Sequence, residues 1–397
     1  MKLIVRNQYM DRLKRLRGTP DIKIITGMRR SGKSELLRAY MRFLREDSDK
    51  VNIIDVDFAN LYYDELKDYK SLFNYVESCY VDGVENILLI DEVQLCDKFE
   101  LAINSFHNSR KYDIYITGSN AFLLSSDLAT LFTGRHINIP VFPFSFSEYC
   151  CYFNIDTNYF EHLQAYLTQG GLAGAYLYSE EVDSISYIKD VYTTLVKRDL
   201  VDKYNINEEA LLDTLVEFLM DNIANLTTVN NISNLLKKNK VDTNHVTIGN
   251  YIKYLCNAFM FYKVKRYDIR GKKYLQTNEK YYLVDLSLRY TLLGMRNMDY
   301  GRAYENIVAI ELLRRGYDIY VGKLYQKEID FVAIKNNEKI YIQVADNISE
   351  ENTLERELSS LRLIRDAYPK VLLANTNHET YDIEGIKVID ISKWLMD

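Results

Sequence analysis

Proline is scarce in this chain, 4 residues in 397, and glycine numbers only 16. Long disordered linkers are rich in both, so short connections between ordered elements are expected. Cysteine is scarce too. Cys79, Cys96, Cys150, Cys151 and Cys256 form no C-x-x-C pair, and the five histidines never fall at metal-ligand spacing with them. That excludes a zinc module of ordinary spacing and predicts a reduced, cytoplasmic setting. No stretch approaches the roughly 18 consecutive apolar residues of a membrane span. The apolar run in Met1–Asn7 is too short for a signal peptide, and no membrane partner is expected.

What is present is ordinary globular material, 47% apolar and 27% charged. A chain of this length suggests roughly two to four domains, each able to bury a core. The 34 tyrosines carry no function by their number alone, because half-buried tyrosine lines ordinary surface. Charge says more. The net −6 hides two basic stretches: residues 231–280 carry 11 Lys/Arg against 3 Asp/Glu, and residues 1–50 carry 14 against 6. The rest of the chain is therefore strongly acidic, and residues 231–280 read as an electrostatic footprint for a polyanion.

The most informative stretch runs Ile24-Ile25-Thr26-Gly27-Met28-Arg29-Arg30-Ser31-Gly32-Lys33-Ser34-Glu35. A β-branched run from Ile22 to Thr26 reads as a buried parallel strand. Leu36, Leu37, Tyr40, Met41 and Leu44 recur at helical spacing after it. Between them lies G-x-x-x-x-G-K-S, a P-loop. Its glycines let successive N–H groups wrap an anion, Lys33 supplies a point charge for β- and γ-phosphates, and the Ser34 hydroxyl suits Mg²⁺. Residues Gly27 to Glu35 are thus the expected nucleotide cradle.

Downstream, Ile87-Leu88-Leu89-Ile90 ends in Asp91-Glu92, a buried strand closing on two acids. In a P-loop protein Asp91 is placed to hold Mg²⁺ through water and Glu92 to activate the attacking water. Ile114 to Asn120 reads as a further buried strand with polar residues at its C-terminal end. Ser119 and Asn120 at its end would sense the γ-phosphate, although a plain turn explains them equally. Arg135, before the strand His136 to Val141, reads either as an arginine finger toward a neighbouring subunit or as a strand-edge cation.

Taken with Tyr9–Leu13, Ile90-Asp91-Glu92-Val93-Gln94, Thr117-Gly118-Ser119-Asn120, Gly134-Arg135 and Phe142–Tyr149, the loop resembles a large family of prokaryotic AAA+-type ATPases, over nearly the whole chain. The resemblance implies ATP and Mg²⁺, a homo-oligomer as one option, a five-stranded parallel sheet with the P-loop strand central, a helical lid and a C-terminal module. The α/β chain then divides into an ATPase domain (1–155), a lid (156–228), a winged helix (229–298) and a restriction-endonuclease-like domain (299–397).

The winged-helix reading rests on two helices followed by a strand pair with the basic tip Arg270-Gly271-Lys272-Lys273, suited to the phosphates of double-stranded DNA. The last domain resembles the PD-(D/E)-x-K nucleases through Glu305, Asp330 and Gln343-Val344-Ala345. Gln343 stands in place of the second acid and Ala345 in place of the lysine, so the metal site is expected to be degenerate. Three functions compete: a DNA-associated ATP-driven switch or motor, a signalling scaffold with slow turnover and a protein partner, and an active nuclease.

Overall fold

The computed structural model describes residues 4–47, 50–118, 132, 134–238, 241, 243–294 and 299–397. They fall into two compact units, Leu3–Phe142 and one built on Pro143–Asp397.

The first unit runs α1 (Asn7–Leu16), β1 (Ile22–Thr26), α2 (Lys33–Asp47), β2 (Val51–Asp57), α3 (Tyr69–Ser78), β3 (Glu85–Asp91), α4 (Phe99–Ser109), β4 (Tyr112–Thr117) and β5 (His136–Pro140). Its five strands are all parallel, in the order β2-β3-β4-β1-β5. Parallel sheets are covered on both faces, which is why their strands read as unbroken apolar runs. Alternate residues go to opposite layers. Leu88 and Ile90 pack with Ile22, Ile24, Ile54 and Phe106 on one side. Ile87 and Leu89 pack with Ile25, Leu36, Tyr40 and Tyr115 on the other. Each such side chain contributes roughly 1.5–3 kcal/mol by leaving water.

The expectation of a central P-loop strand is corrected. β4 is central, and β1 lies between β4 and β5. Strands so alike in apolar content carry no cue to their lateral order. The arrangement has a consequence for the site, because the end of β4 separates the P-loop from the acids that close β3.

The second unit begins with helices α5 (Phe146–Phe153), α6 (Tyr159–Gln169) and α7 (Glu181–Val196), the last passing into a π turn at Lys197–Val201. Then come α8 (Glu209–Asp221), α9 (Val229–Lys238), α10 (His245–Asn257), β6 (Phe261–Asp268), β7 (Lys273–Leu283), α11 (Leu286–Leu293) and α12 (Tyr300–Arg314). The chain closes with β8 (Asp318–Leu324), β9 (Lys327–Lys335), β10 (Glu338–Ala345), α13 (Glu351–Arg362), β11 (Lys370–Ala374), β12 (Tyr381–Ile383), β13 (Ile386–Asp390) and α14 (Ile391–Met396).

All eight strands share one mixed sheet, β12-β13-β11-β10-β9-β8-β6-β7. β6 pairs with β8 in parallel. The hairpin read from sequence as part of a separate module thus belongs to the C-terminal sheet, and covers the edge that β8 would otherwise present. Among the described residues no helix is long and apolar enough to cross a membrane.

Candidate nucleotide site and a buried charge cluster

β1 ends at Thr26 and α2 starts at Lys33, so the loop between them turns at the C-terminal edge of the first sheet. Gly27 sits at φ +146°, and a Cβ there would lie 2.1 Å from the Val141 carbonyl oxygen, so no side chain fits. Arg30 and Gly32 also take positive φ, 66° and 95°. The buried Lys33 ammonium donates to the carbonyls of Gly27 (3.0 Å) and Met28 (2.9 Å), which hold it across the loop mouth. The Ser31 hydroxyl is buried with no hydrogen-bond partner. An orphaned donor at that place, next to first-turn N–H groups that no helix can satisfy internally, fits a phosphate oxygen. Glu35 turns outward to Arg38 (2.7 Å).

One supporting residue went unread in the sequence. The Arg6 guanidinium is buried over the Tyr9 ring at 4.5 Å and donates to the carbonyls of Ser31 and Phe142, each at 2.9 Å. It joins the loop to the backbone just past β5. A lone arginine inside a basic stretch gives no signal of such a task.

The acids closing β3 are arranged by β4. Ile90 lies opposite Ile116 in the register, so Asp91 and Thr117 emerge side by side. The Thr117 hydroxyl donates to Asp91 Oδ1 and accepts from the Glu92 backbone N–H (3.1 Å). Ser34 also hydrogen-bonds the Asp91 carboxylate. Ser34 and Asp91 thereby converge as oxygen donors, the set a hard divalent cation takes. Burial pushes the Asp91 carboxyl above its ordinary range, against the pull of the Thr117 and Ser34 hydroxyls. Glu92 is held at φ 53°, left-handed for a non-glycine residue, and its Oε2 accepts from Gln94 Nε2. The sequence marks Thr117 only as part of a strand run. Nothing local to it gives a signal, because the acid pair becomes its neighbour only through the pairing of β3 with β4. Ser119 and Asn120 lie outside the described residues.

Arg135 lies elsewhere. Its carbonyl accepts from Ile22 N (3.0 Å), at the N-terminal edge of the sheet, and its guanidinium donates to Asn108 Oδ1 (2.9 Å). The strand between spans roughly 16 Å at 3.3 Å per residue, so Arg135 faces away from its own chain's P-loop.

In the second unit, Glu305 and Asp330 meet around a residue the sequence reading had counted with the basic surface. Lys280, 3% exposed, puts its Nζ 2.8 Å from Glu305 Oε1, 2.8 Å from Glu328 Oε1 and 3.6 Å from Asp330 Oδ1. Tyr282, on the same face of β7, donates to Glu305 Oε1 (2.7 Å). Asp330 Oδ2 accepts from Val344 N (2.8 Å), while Gln343 takes the Asp330 N–H on its oxygen (3.3 Å) and donates to Glu357 (3.0 Å). Burial alone would lower the ammonium pKa, yet Glu305, Asp330 and Glu328 together hold it well above its ordinary value. Burial drives Glu305 and Asp330 upward as well. Among the described residues no group of three or more His, Cys, Asp or Glu is placed to hold a metal ion. The footprint of residues 231–280 is smaller at the surface than in the sequence, since Lys280 is interior and Lys263 pairs with Glu279 (3.2 Å).

Arg270 and Lys272 are exposed at the β6–β7 tip, where Asp268 Oδ1 accepts from the Arg270 and Gly271 N–H groups at 3.1 and 3.0 Å. Lys273 is the first residue of β7.

Comparison with known proteins finds an AAA domain at residues 19–150 and a domain of unknown function at residues 160–299. An uncharacterized protein of Haemophilus influenzae is 38% identical over 399 residues, covering 99% of each chain. An uncharacterized protein of Methanocaldococcus jannaschii is 27% identical over 386 residues, covering 93% of this chain and 84% of its own. Among solved structures, the Aeropyrum pernix ORC1 protein in complex with DNA is similar at 12% identity with a TM-score of 0.32, over 79% of this chain and 94% of that one.

Proposed function

We propose that this chain, which belongs to the same family as the Haemophilus influenzae protein and carries an AAA domain, binds and hydrolyses ATP and acts as a nucleotide-controlled switch or motor. The observation that carries the reading is the convergence of Ser34, Asp91, Thr117 and Glu92 beside the P-loop. Lys33 would exchange the Gly27 and Met28 carbonyls for β- and γ-phosphate oxygens, and the Ser31 hydroxyl would gain the partner it lacks. Glu92, oriented by Gln94 and by its strained backbone, would take the proton of the attacking water. Ser34 and Asp91 are the residues that would hold Mg²⁺, which when bound supplies charge neutralisation at the phosphates.

Arg135, turned away from its own loop, fits a role only across an interface between copies. A mixture of Arg135→Ala and Lys33→Ala proteins, each inactive alone, is then expected to regain part of the parental ATPase rate. Normal hydrolysis by Arg135→Ala as a monomer would remove the residue from catalysis.

We further propose that the second unit is the output: a lid at 156–228 and a winged helix at 229–298 whose hairpin extends the sheet of a nuclease-like domain at 299–397, with Arg270, Lys272 and Lys273 on the phosphates of duplex DNA. Thr247 and Asn250 on α10 are the candidates for base contacts, and Asn250 is exposed. An active nuclease is the weakest reading, because an ammonium already occupies the acidic centre. Low-salt titration of fluorescent duplex DNA tests the output. Affinity is expected to fall with salt at a log–log slope near −0.9 per phosphate neutralised. Lys272→Glu with Lys273→Glu is expected to flatten that slope by roughly two units. No binding at micromolar protein, with or without nucleotide, would leave a signalling scaffold with a protein partner.

A further inference from the structure

Two hairpin tips meet at one end of the eight-stranded sheet. β6 and β8 run parallel with Asp268 opposite Lys323, and Ile269 N donates to the Lys323 carbonyl (3.0 Å), so the β6–β7 tip and the β8–β9 turn emerge together. The second turn is the residue pair Tyr325-Gln326. Tight hairpin loops of this length favour Asn or Gly where φ is positive. Here a tyrosine takes φ 57°.

No core rewards that strain, since Tyr325 is 56% exposed. The Arg270 guanidinium from the neighbouring tip lies over its ring at 5.1 Å. Tyr274, paired across the first hairpin with Tyr267, is 59% exposed. Its ring lies 5.5 Å from that of Tyr267 and 4.9 Å from that of Tyr320, so tyrosines from three strands form one cluster. Lys272 is exposed at the same tip, and the acid beside it, Asp268, is engaged by two backbone amides. A strained residue left more than half exposed points to a task at the surface. Exposed rings interleaved with cations suit a chain of flat bases on a phosphate backbone. Bases inside a duplex are stacked on one another and offer no face to a side chain. Unpaired bases do.

We propose that these two tips bind single-stranded nucleic acid, Tyr325 and Tyr274 stacking unpaired bases while Arg270 and Lys272 contact the flanking phosphates. The proposal rests on the nucleic-acid reading above and adds unpaired strands to its ligands. It is tested with the full-length protein by fluorescence anisotropy, using one sequence as a deoxyribose strand, a ribose strand and a DNA duplex at low salt. Tyr325→Asn suits the turn and should keep the parental melting temperature; Tyr274→Thr suits a strand but gives up the rings of Tyr267 and Tyr320, so its melting temperature is measured beside its binding. Each is expected to weaken single-strand binding about ten-fold, within the range for loss of one base–aromatic stack, and to leave duplex binding unchanged. The tighter of the two single strands identifies the ligand as DNA or RNA. If both tyrosine variants bind single strands like the parent while Lys272→Glu weakens every ligand alike, stacking is wrong and the phosphate reading stands. If the parent binds none of the three, both readings fall.

Discussion

Glu92→Gln is expected to bind ATP as the parent does and to lose turnover by roughly 10²- to 10⁴-fold, the usual worth of a positioned general base. The amide keeps the side chain's size and can still meet Gln94, but it cannot take a proton. Lys33→Ala is expected to fail one step earlier. Its ammonium is held at the loop mouth by the Gly27 and Met28 carbonyls, and without it the β- and γ-phosphates lose that point charge. Binding of a fluorescent ATP analogue and phosphate release, measured on both variants, separate the two steps. Parental turnover in Glu92→Gln would show that another group activates the water. Thr117→Val adds a finer test. It keeps the volume and removes the hydroxyl shared by Asp91 and Glu92, so turnover should fall while nucleotide affinity changes little.

The P-loop and the acid pair were legible because their chemistry is local: glycines, a lysine, a hydroxyl and two acids at fixed spacing after apolar runs. Arg6 and Thr117 were not, because their work depends on partners far along the chain. Arg6 reaches Ser31 and Phe142, and Thr117 reaches Asp91 only through the pairing of β3 with β4. Strand order was hidden for a similar reason, since five comparably apolar strands do not say which two flank β1. Lys280 shows the limit most clearly. It stands in a stretch with 11 basic residues, and nothing in that stretch distinguishes it from lysines that face water. Only the sheet, by turning Lys280 and Tyr282 to the same face of β7 opposite α12, reveals it as an interior ion.

Lys280→Met is therefore expected to destabilise the second unit far more than any surface lysine in the same stretch. Met matches the length of the aliphatic stem but brings no charge, leaving Glu305 and Asp330 buried without their cation. Breaking a buried ion cluster by removing one partner costs about 3–5 kcal/mol. In a unit of this size that is on the order of ten degrees in Tm. Lys272→Met, at the exposed tip, is expected to change stability by no more than about 0.5 kcal/mol. The cause can be checked by restoring balance: Asp330→Asn together with Glu305→Gln, added to Lys280→Met, removes the stranded acids and should recover part of the loss. A Lys280→Met protein that melts with the parent would mean that water reaches the cluster and the ammonium is not needed. The same preparations bear on the nuclease reading. With the cation place filled by Lys280, and Gln343 and Ala345 offering neither acid nor lysine, the parent is expected to leave duplex and single-stranded DNA intact with Mg²⁺ or Mn²⁺. Cleavage that Asp330→Ala abolishes would mean that the ammonium can leave and a metal can enter.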